Sequence, residues 1–187
     1  ASADQRAGRA VRLGPGAAYR VWSEGEHAGR RAFTPPEIAG ADLTDLALEL
    51  AIWGAGADLA FLDPPPPTGL ARARSLLTRL DALDPAGRPT PTGRRMVELP
   101  LHPRLAHLVV VDRTRLACVL AALVEERDVL RGRPGEVEVG IDERVRLVIE
   151  RSRSHPRLDG DARRTVWRRA DELSRRVGDV AGFTYEM

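Results

Sequence analysis

Near the start of the chain, Asp4-Gln5-Arg6-Ala7-Gly8-Arg9-Ala10-Val11-Arg12 sets three arginines at every third position behind one glutamine. On a helix, residues three apart are neighbours, so Arg9 and Arg12 can point the same way. A planar guanidinium offers fixed, forked donors that suit a phosphate or carboxylate better than a mobile ammonium does. The chemistry this spacing fits is the grip of an anion, and the plain alternative is a solvated basic turn.

Composition limits what else the chain can do. All 29 basic residues are arginine and Gln5 is the only side-chain amide. Abundant Ala, Arg, Gly and Pro without Lys or Asn is what GC-rich coding produces, so arginine content alone carries no functional meaning. The missing lysine is decisive in one respect. A phosphate-binding loop G-x-x-x-x-G-K-[ST] needs its lysine on the terminal phosphates, and Schiff-base chemistry needs one too. If the opening arginines serve a nucleotide, the rest of its site lies outside this chain.

A net charge of +2 is too small to argue for nucleic acid despite a pI of 9.3; the distribution of charge matters more. With 187 residues, 43% hydrophobic and 30% charged, the chain reads as one sizeable globular core or two small ones. No apolar run approaches the roughly 20 residues of a membrane span and no signal peptide opens the sequence, so a cytoplasmic protein without membrane contact is expected. Cys118 is alone, which excludes an internal disulfide, and it adjoins an apolar stripe as a small hydrophobe. His102 and His107 lie five residues apart, about 140° around a helix, and cannot converge on a metal. His27 and His155 stand singly in expected loops, so no metal site is expected.

The elements that must position these residues are mainly helical. Asp4 to Arg12 reads as a short helix stopped at Gly14-Pro15-Gly16, and Ala17 to Trp22 alternates as a strand whose sheet partners are missing here. Glu24 to Pro36 reads as a connector. A helix runs from Ala41 to Trp53 with Leu43, Leu46, Ala47, Leu50 and Ala51 inward and Trp53 extending that face. Asp63-Pro64-Pro65-Pro66-Pro67 is a stiff bridge to a second amphipathic helix, Leu70 to Leu83, whose outer face carries Arg72, Arg74 and Arg79. After the turn Asp84-Pro85-Ala86-Gly87, Met96-Val97-Glu98-Leu99 is expected to close a β-turn-β wing. His102-Pro103 opens another helix. Leu116, Val119, Leu120, Leu123 and Val124 form an apolar stripe, Gly132 to Gly140 a loop, and Ile141 to Ile149 a helix. The last helix starts at the cap Asp159-Gly160-Asp161.

Several of these stretches, in order, resemble a known family. The opening run resembles the QRxGRxGR motif, motif VI, of superfamily 2 helicases. With Tyr19-Arg20-Val21-Trp22-Ser23-Glu24, Pro35-Pro36-Glu37-Ile38, Phe61-Leu62-Asp63-Pro64 and Leu99-Pro100-Leu101-His102-Pro103-Arg104-Leu105-Ala106, it is similar to the C-terminal part of DEAH-box ATP-dependent helicases of the bacterial HrpB type. The resemblance implies the tail of a second RecA-like α/β domain over 1–35, a winged-helix domain over 36–111 and a helical ratchet-like bundle over 112–187. It implies ATP with Mg²⁺ as cofactor, bound in a cleft whose other wall is an N-terminal RecA-like motor domain. Gln5 would orient the attacking water or the γ-phosphate, Arg9 and Arg12 would be arginine fingers, and Arg6 would hold the motif in place. Val11 stands where the family usually has glycine; if that position needs positive φ, a β-branched residue resists it and displaces Arg12, which leaves Arg9 the safer finger.

The helicase reading implies single-stranded RNA, or DNA, as partner. On the last helix Arg163, Arg164, Arg168, Arg169, Arg175 and Arg176 spread around the axis. They read either as a solvated face paired with Asp171 and Glu172 or as an RNA-backbone contact with Trp167 stacking. The alternatives to a helicase part, inactive by itself, are a stand-alone winged-helix regulator and a helicase-derived scaffold.

Overall fold

Capping residues set most of the helix starts. The computed structural model describes residues 2–31, 33–54, 59–132, 140–150 and 153–178. In order these form α1 (Ser2–Ala10), α2 (Glu24–Ala28), a 3-10 turn (Glu37–Ala39), α3 (Thr44–Trp53), α4 (Pro67–Arg79), α5 (Pro91–Val97), α6 (Pro103–Asp112), α7 (Arg115–Glu125), α8 (Ile141–Ile149) and α9 (Gly160–Val177). Proline opens α4, α5 and α6, where its fixed φ suits the first turn and its missing N–H is no loss. Side-chain oxygens of Thr90, Thr114 and Asp159 accept first-turn backbone N–H groups of α5, α7 and α9. At α6 the cap is His102, whose Nδ1 accepts from the Arg104 N–H at 3.3 Å while Nε2 lies 3.4 Å from Asp42.

One hydrophobic cluster runs from Leu43 to Leu173, with Leu77, Met96, Val109, Val119, Leu147, Val166 and Leu173 fully buried. Within it α3 packs on α4 and α5, α5 on α6, α6 on α7, and α7 on α8 and α9. The α7–α9 contact is the most extensive, and the residues that α7 buries are small: Ala117, Cys118, Ala121 and Ala122, with Val119. The apolar stripe expected through Leu116, Leu120 and Val124 therefore faces partly outward, with Leu116 and Val124 exposed. Close approach of two helices favours the side with the least bulk, which a hydrophobicity pattern does not rank.

Three other expectations are corrected. Residues 17–22 form no strand, and Tyr19 and Val21 are exposed; alternation alone cannot hold a strand that has no ladder to join. Met96-Val97 end α5 rather than forming a wing strand, because Thr90-Pro91 is a strong helix start; the pairing left nearby is a single bridge between Leu83 and Pro89. Trp53, at the last turn of α3 before the left-handed Gly54, is 71% exposed instead of buried. The expected connector after Trp22 contains α2, started by a capping box between Ser23 and Glu26. Of the loop expected over 132–140, residues 133–139 lie outside the described residues.

Asp159 is a charged side chain buried within the fold, and it fastens the bundle. It accepts from Arg127 at 2.8 Å, from Arg131 at 3.0 Å and from the N–H groups of Asp161 and Ala162, beside a bridge between Leu130 and Leu158. The Arg131 hydrogen bond, then the Ala162 N–H, hold its carboxyl down at about 2. A carboxylate whose folded value is depressed contributes stability above its ordinary range and loses it as pH falls through the folded value. Asp159→Asn, which keeps a capping oxygen but not the charge, is expected to melt several degrees below the parent at neutral pH. In thermal melts from pH 7 to pH 2 the gap should narrow below about pH 4; a constant gap would count against the ionic latch.

Candidate nucleotide and nucleic-acid contacts

Helix α1 carries the arginine motif outside the core. Gln5 and Arg9, four apart, share a face, and Arg6 is three residues before Arg9. Arg12 lies past the helix end, but its N–H donates to the Arg9 carbonyl at 3.3 Å, which continues the turn and keeps the two arginines near one side. All four side chains are exposed, and Arg6, Arg9 and Arg12 form no ion pair among the described residues. Val11 is not in the left-handed region: among the described residues the non-glycine ones with positive φ are Asp81 and Arg113. The close approach falls at Gly16 instead, where a Cβ would run into the Ala10 carbonyl, with the carbonyl carbon 2.7 Å away.

A small polar cluster holds α1 to the segment after it. Arg20 donates to Asp4 at 2.8 Å, and His27 of α2 approaches the same carboxylate at 4.0 Å. The Trp22 indole N–H donates to His27 Nδ1 at 3.4 Å, and the Arg30 guanidinium covers the Trp22 ring at 4.2 Å. The stretch read as a strand is thus the strap between α1 and α2. The signal for it was in the sequence as Ser23-x-x-Glu26, a capping box that places His27 one turn in.

The arginines of α9 are mostly engaged locally. Arg164 pairs with Asp161, Arg169 with Glu172 at 3.1 Å, Arg175 with Asp171 at 3.5 Å and Arg176 with Glu172 at 3.1 Å. Arg115 of α7 reaches Asp171 at 2.6 Å and lies over the half-buried Trp167 ring at 4.5 Å, so one face of that indole is covered. Arg163, Arg164, Trp167 and Arg168 still line a 550 Å³ recess beside Val148. Among the described residues no three His, Cys, Asp or Glu side chains gather as metal ligands, and no helix is long and apolar enough to cross a membrane.

The comparisons with known proteins agree with one another. Residues 73–101 match the winged-helix, helicase-associated (HA2) domain family. The chain is 38% identical over 132 residues to the ATP-dependent RNA helicase HrpB of Escherichia coli, covering 67% of this chain and 16% of that protein. It is 37% identical over 121 residues to the pre-mRNA-splicing factor ATP-dependent RNA helicase prp22 of Schizosaccharomyces pombe, covering 63% of this chain and 10% of that protein. The crystal structure of the E. coli DExH-box NTPase HrpB superposes on 97% of the chain with a TM-score of 0.72 and 32% identity, over 20% of its own length. The chain thus spans a small part of the proteins it matches. The mainly helical fold with a winged-helix unit, and the resemblance to HrpB-type DEAH-box helicases, hold in both sequence and structure.

Proposed function

Proceeding from that similarity to a part of the HrpB-type DEAH-box helicases, we propose that this chain supplies the arginine side of an ATP cleft and a nucleic-acid-gripping body to an ATP-dependent RNA helicase. The observation that carries the reading is the Gln5–Arg12 motif, with its guanidiniums exposed and free of carboxylate partners among the described residues. An unpaired arginine on a short helix is available to an incoming anion without first breaking an ion pair. In this reading residues 1–35 complete a RecA-like domain, and 36–111 and 112–187 form the gripping body.

The residues present fit a nucleoside triphosphate as its distal wall. ATP with Mg²⁺ supplies the phosphoryl group and the charge neutralisation, held mainly by an N-terminal motor domain. Arg9 and Arg12 stabilise negative charge that spreads onto the phosphoryl oxygens, acting across the cleft. Gln5, one turn before Arg9, orients water or a terminal phosphate oxygen, and Arg6 anchors the motif. The body holds single-stranded RNA, or DNA, through phosphates and sugars, which position a strand without reading it. Closure of the cleft then moves one grip relative to the other.

The direct test is ATP turnover by this chain alone and joined to an N-terminal RecA-like motor domain, each with and without RNA. The chain alone should show none, and the joined protein RNA-stimulated turnover. Turnover by the isolated chain would sink the reading.

A further inference from the structure

Arginines on α4 and α6 differ from those on α9. Arg72 and Arg79 fall seven residues apart on α4, nearly in line, and the 1.5 Å rise sets their Cα atoms about 10 Å apart along one stripe with Ser75 between them. With Arg104, in the first turn of α6, they line one groove of 820 Å³ floored by Gly40, Leu43 and Gly69. All three are exposed and form no ion pair among the described residues, whereas four of the six α9 arginines do. The acid in the groove, Asp42, is already engaged by the Thr44 N–H at 2.8 Å, the Thr44 hydroxyl and His102, which hold its carboxyl below the ordinary range. Gly69 keeps the floor low: a Cβ there would come within 2.9 Å of Leu43 Cδ1.

We propose that this groove between the start of α3, α4 and the start of α6 binds the sugar–phosphate backbone of single-stranded RNA. Three forked cations against one satisfied carboxylate favour an anion, and spacing along the stripe favours a chain of anions over a single one. No aromatic residue lines the groove, so it offers bases no stacking platform and grips the backbone without reading sequence. The residues seating it belong to the stretch from Gly40 to Arg104, which overlaps the winged-helix match. The choice of RNA rests on the helicase reading; the groove itself does not.

The test is fluorescence polarisation of a short labelled oligouridylate with the whole 187-residue chain, titrated at about 50 to 200 mM salt. The variants are Arg72→Ala/Arg79→Ala/Arg104→Ala and, as a control, Arg31→Ala/Arg146→Ala, two exposed arginines away from the groove and from the α9 recess. The groove variant should bind at least tenfold more weakly, and its log–log salt slope should be shallower by about 2, given about 0.7 per phosphate contact on single strands. The control variant should change little. Because all substituted side chains are exposed, circular dichroism melts of both variants should overlay the parent. Loss in neither variant, or a loss in the control as large as in the groove variant, overturns the groove while leaving the Arg9 helicase reading standing. Absence of RNA binding by the parent overturns it too, as does groove-dependent binding of a polyglutamate peptide in place of RNA. Failure of the joined protein to hydrolyse ATP, with the groove result intact, instead removes the helicase reading alone.

Discussion

Arg9→Ala in the protein joined to a motor domain is expected to lower ATP turnover by about 10³-fold, the lower end of what an arginine finger contributes, or about 4 kcal/mol of transition-state stabilisation. The fall should appear in kcat with little change in the KM for ATP, because the guanidinium acts on charge that develops during transfer rather than on the ground state. Arg9→Lys should recover little, since an ammonium lacks the planar fork. Arg12→Ala should cost less: its residue sits beyond the last residue of α1, tied to the helix only through its N–H on the Arg9 carbonyl. Steady-state kinetics at saturating RNA separates these cases. A change in Arg9→Ala smaller than tenfold, or one confined to KM, contradicts a finger role.

The second large effect concerns the fold. Gly93 lies inside α5, where a helix-propensity argument predicts that alanine would stabilise by up to about 1 kcal/mol. Its surroundings reverse the sign. A Cβ at Gly93 would strike the Ala82 carbonyl oxygen and come 3.0 Å from that carbonyl carbon. The atoms in the way are backbone, and the same carbonyl accepts the Thr90 N–H at 3.0 Å, so it cannot swing aside without losing that bond. Overpacking against a fixed wall costs about 1–3 kcal/mol, and the upper end applies here. Gly93→Ala should therefore lower stability by about 2 kcal/mol net and Tm by about 4–8 °C. Gly40→Ala, with open space around its Cβ, is the control and should stay within about 0.5 kcal/mol of the parent. Denaturant melts of the three proteins decide it; an unchanged midpoint for Gly93→Ala would show that α5 can shift away from Ala82.

Gly93 also marks the limit of what the sequence discloses. Helix starts such as His102-Pro103 and Asp159-Gly160-Asp161 were legible because they are local and announce themselves within four residues, although Thr90-Pro91, as local a signal, was not read as one. The contact between Gly93 and Ala82 is not local, since it depends on how the chain returns after the turn at Gly87. The α7 face was misjudged for a related reason: the buried side is chosen by the helices that pack on it, α6, α8 and α9, and Ala117, Ala121 and Ala122 win by being small. At the candidate site the motif was legible as residue types at a spacing. That its arginines carry no ion pair, unlike most on α9, needed coordinates, because both segments read as arginine-rich helices. The α4 arginines were read only as an outer face; their seven-residue spacing was visible, but their convergence with Arg104 depends on how α3 packs on α4 and α5, and α5 on α6.

The placement of α1 has one more consequence. Among the described residues every buried core residue lies at Leu43 or later, and α1 is held by a polar cluster around Asp4. Durability and the proposed catalytic contribution are therefore lodged in different segments of the chain. A heat scan reports on the body and is blind to the motif, so a library screened only for survival at high temperature would retain proteins whose motif arginines had been lost.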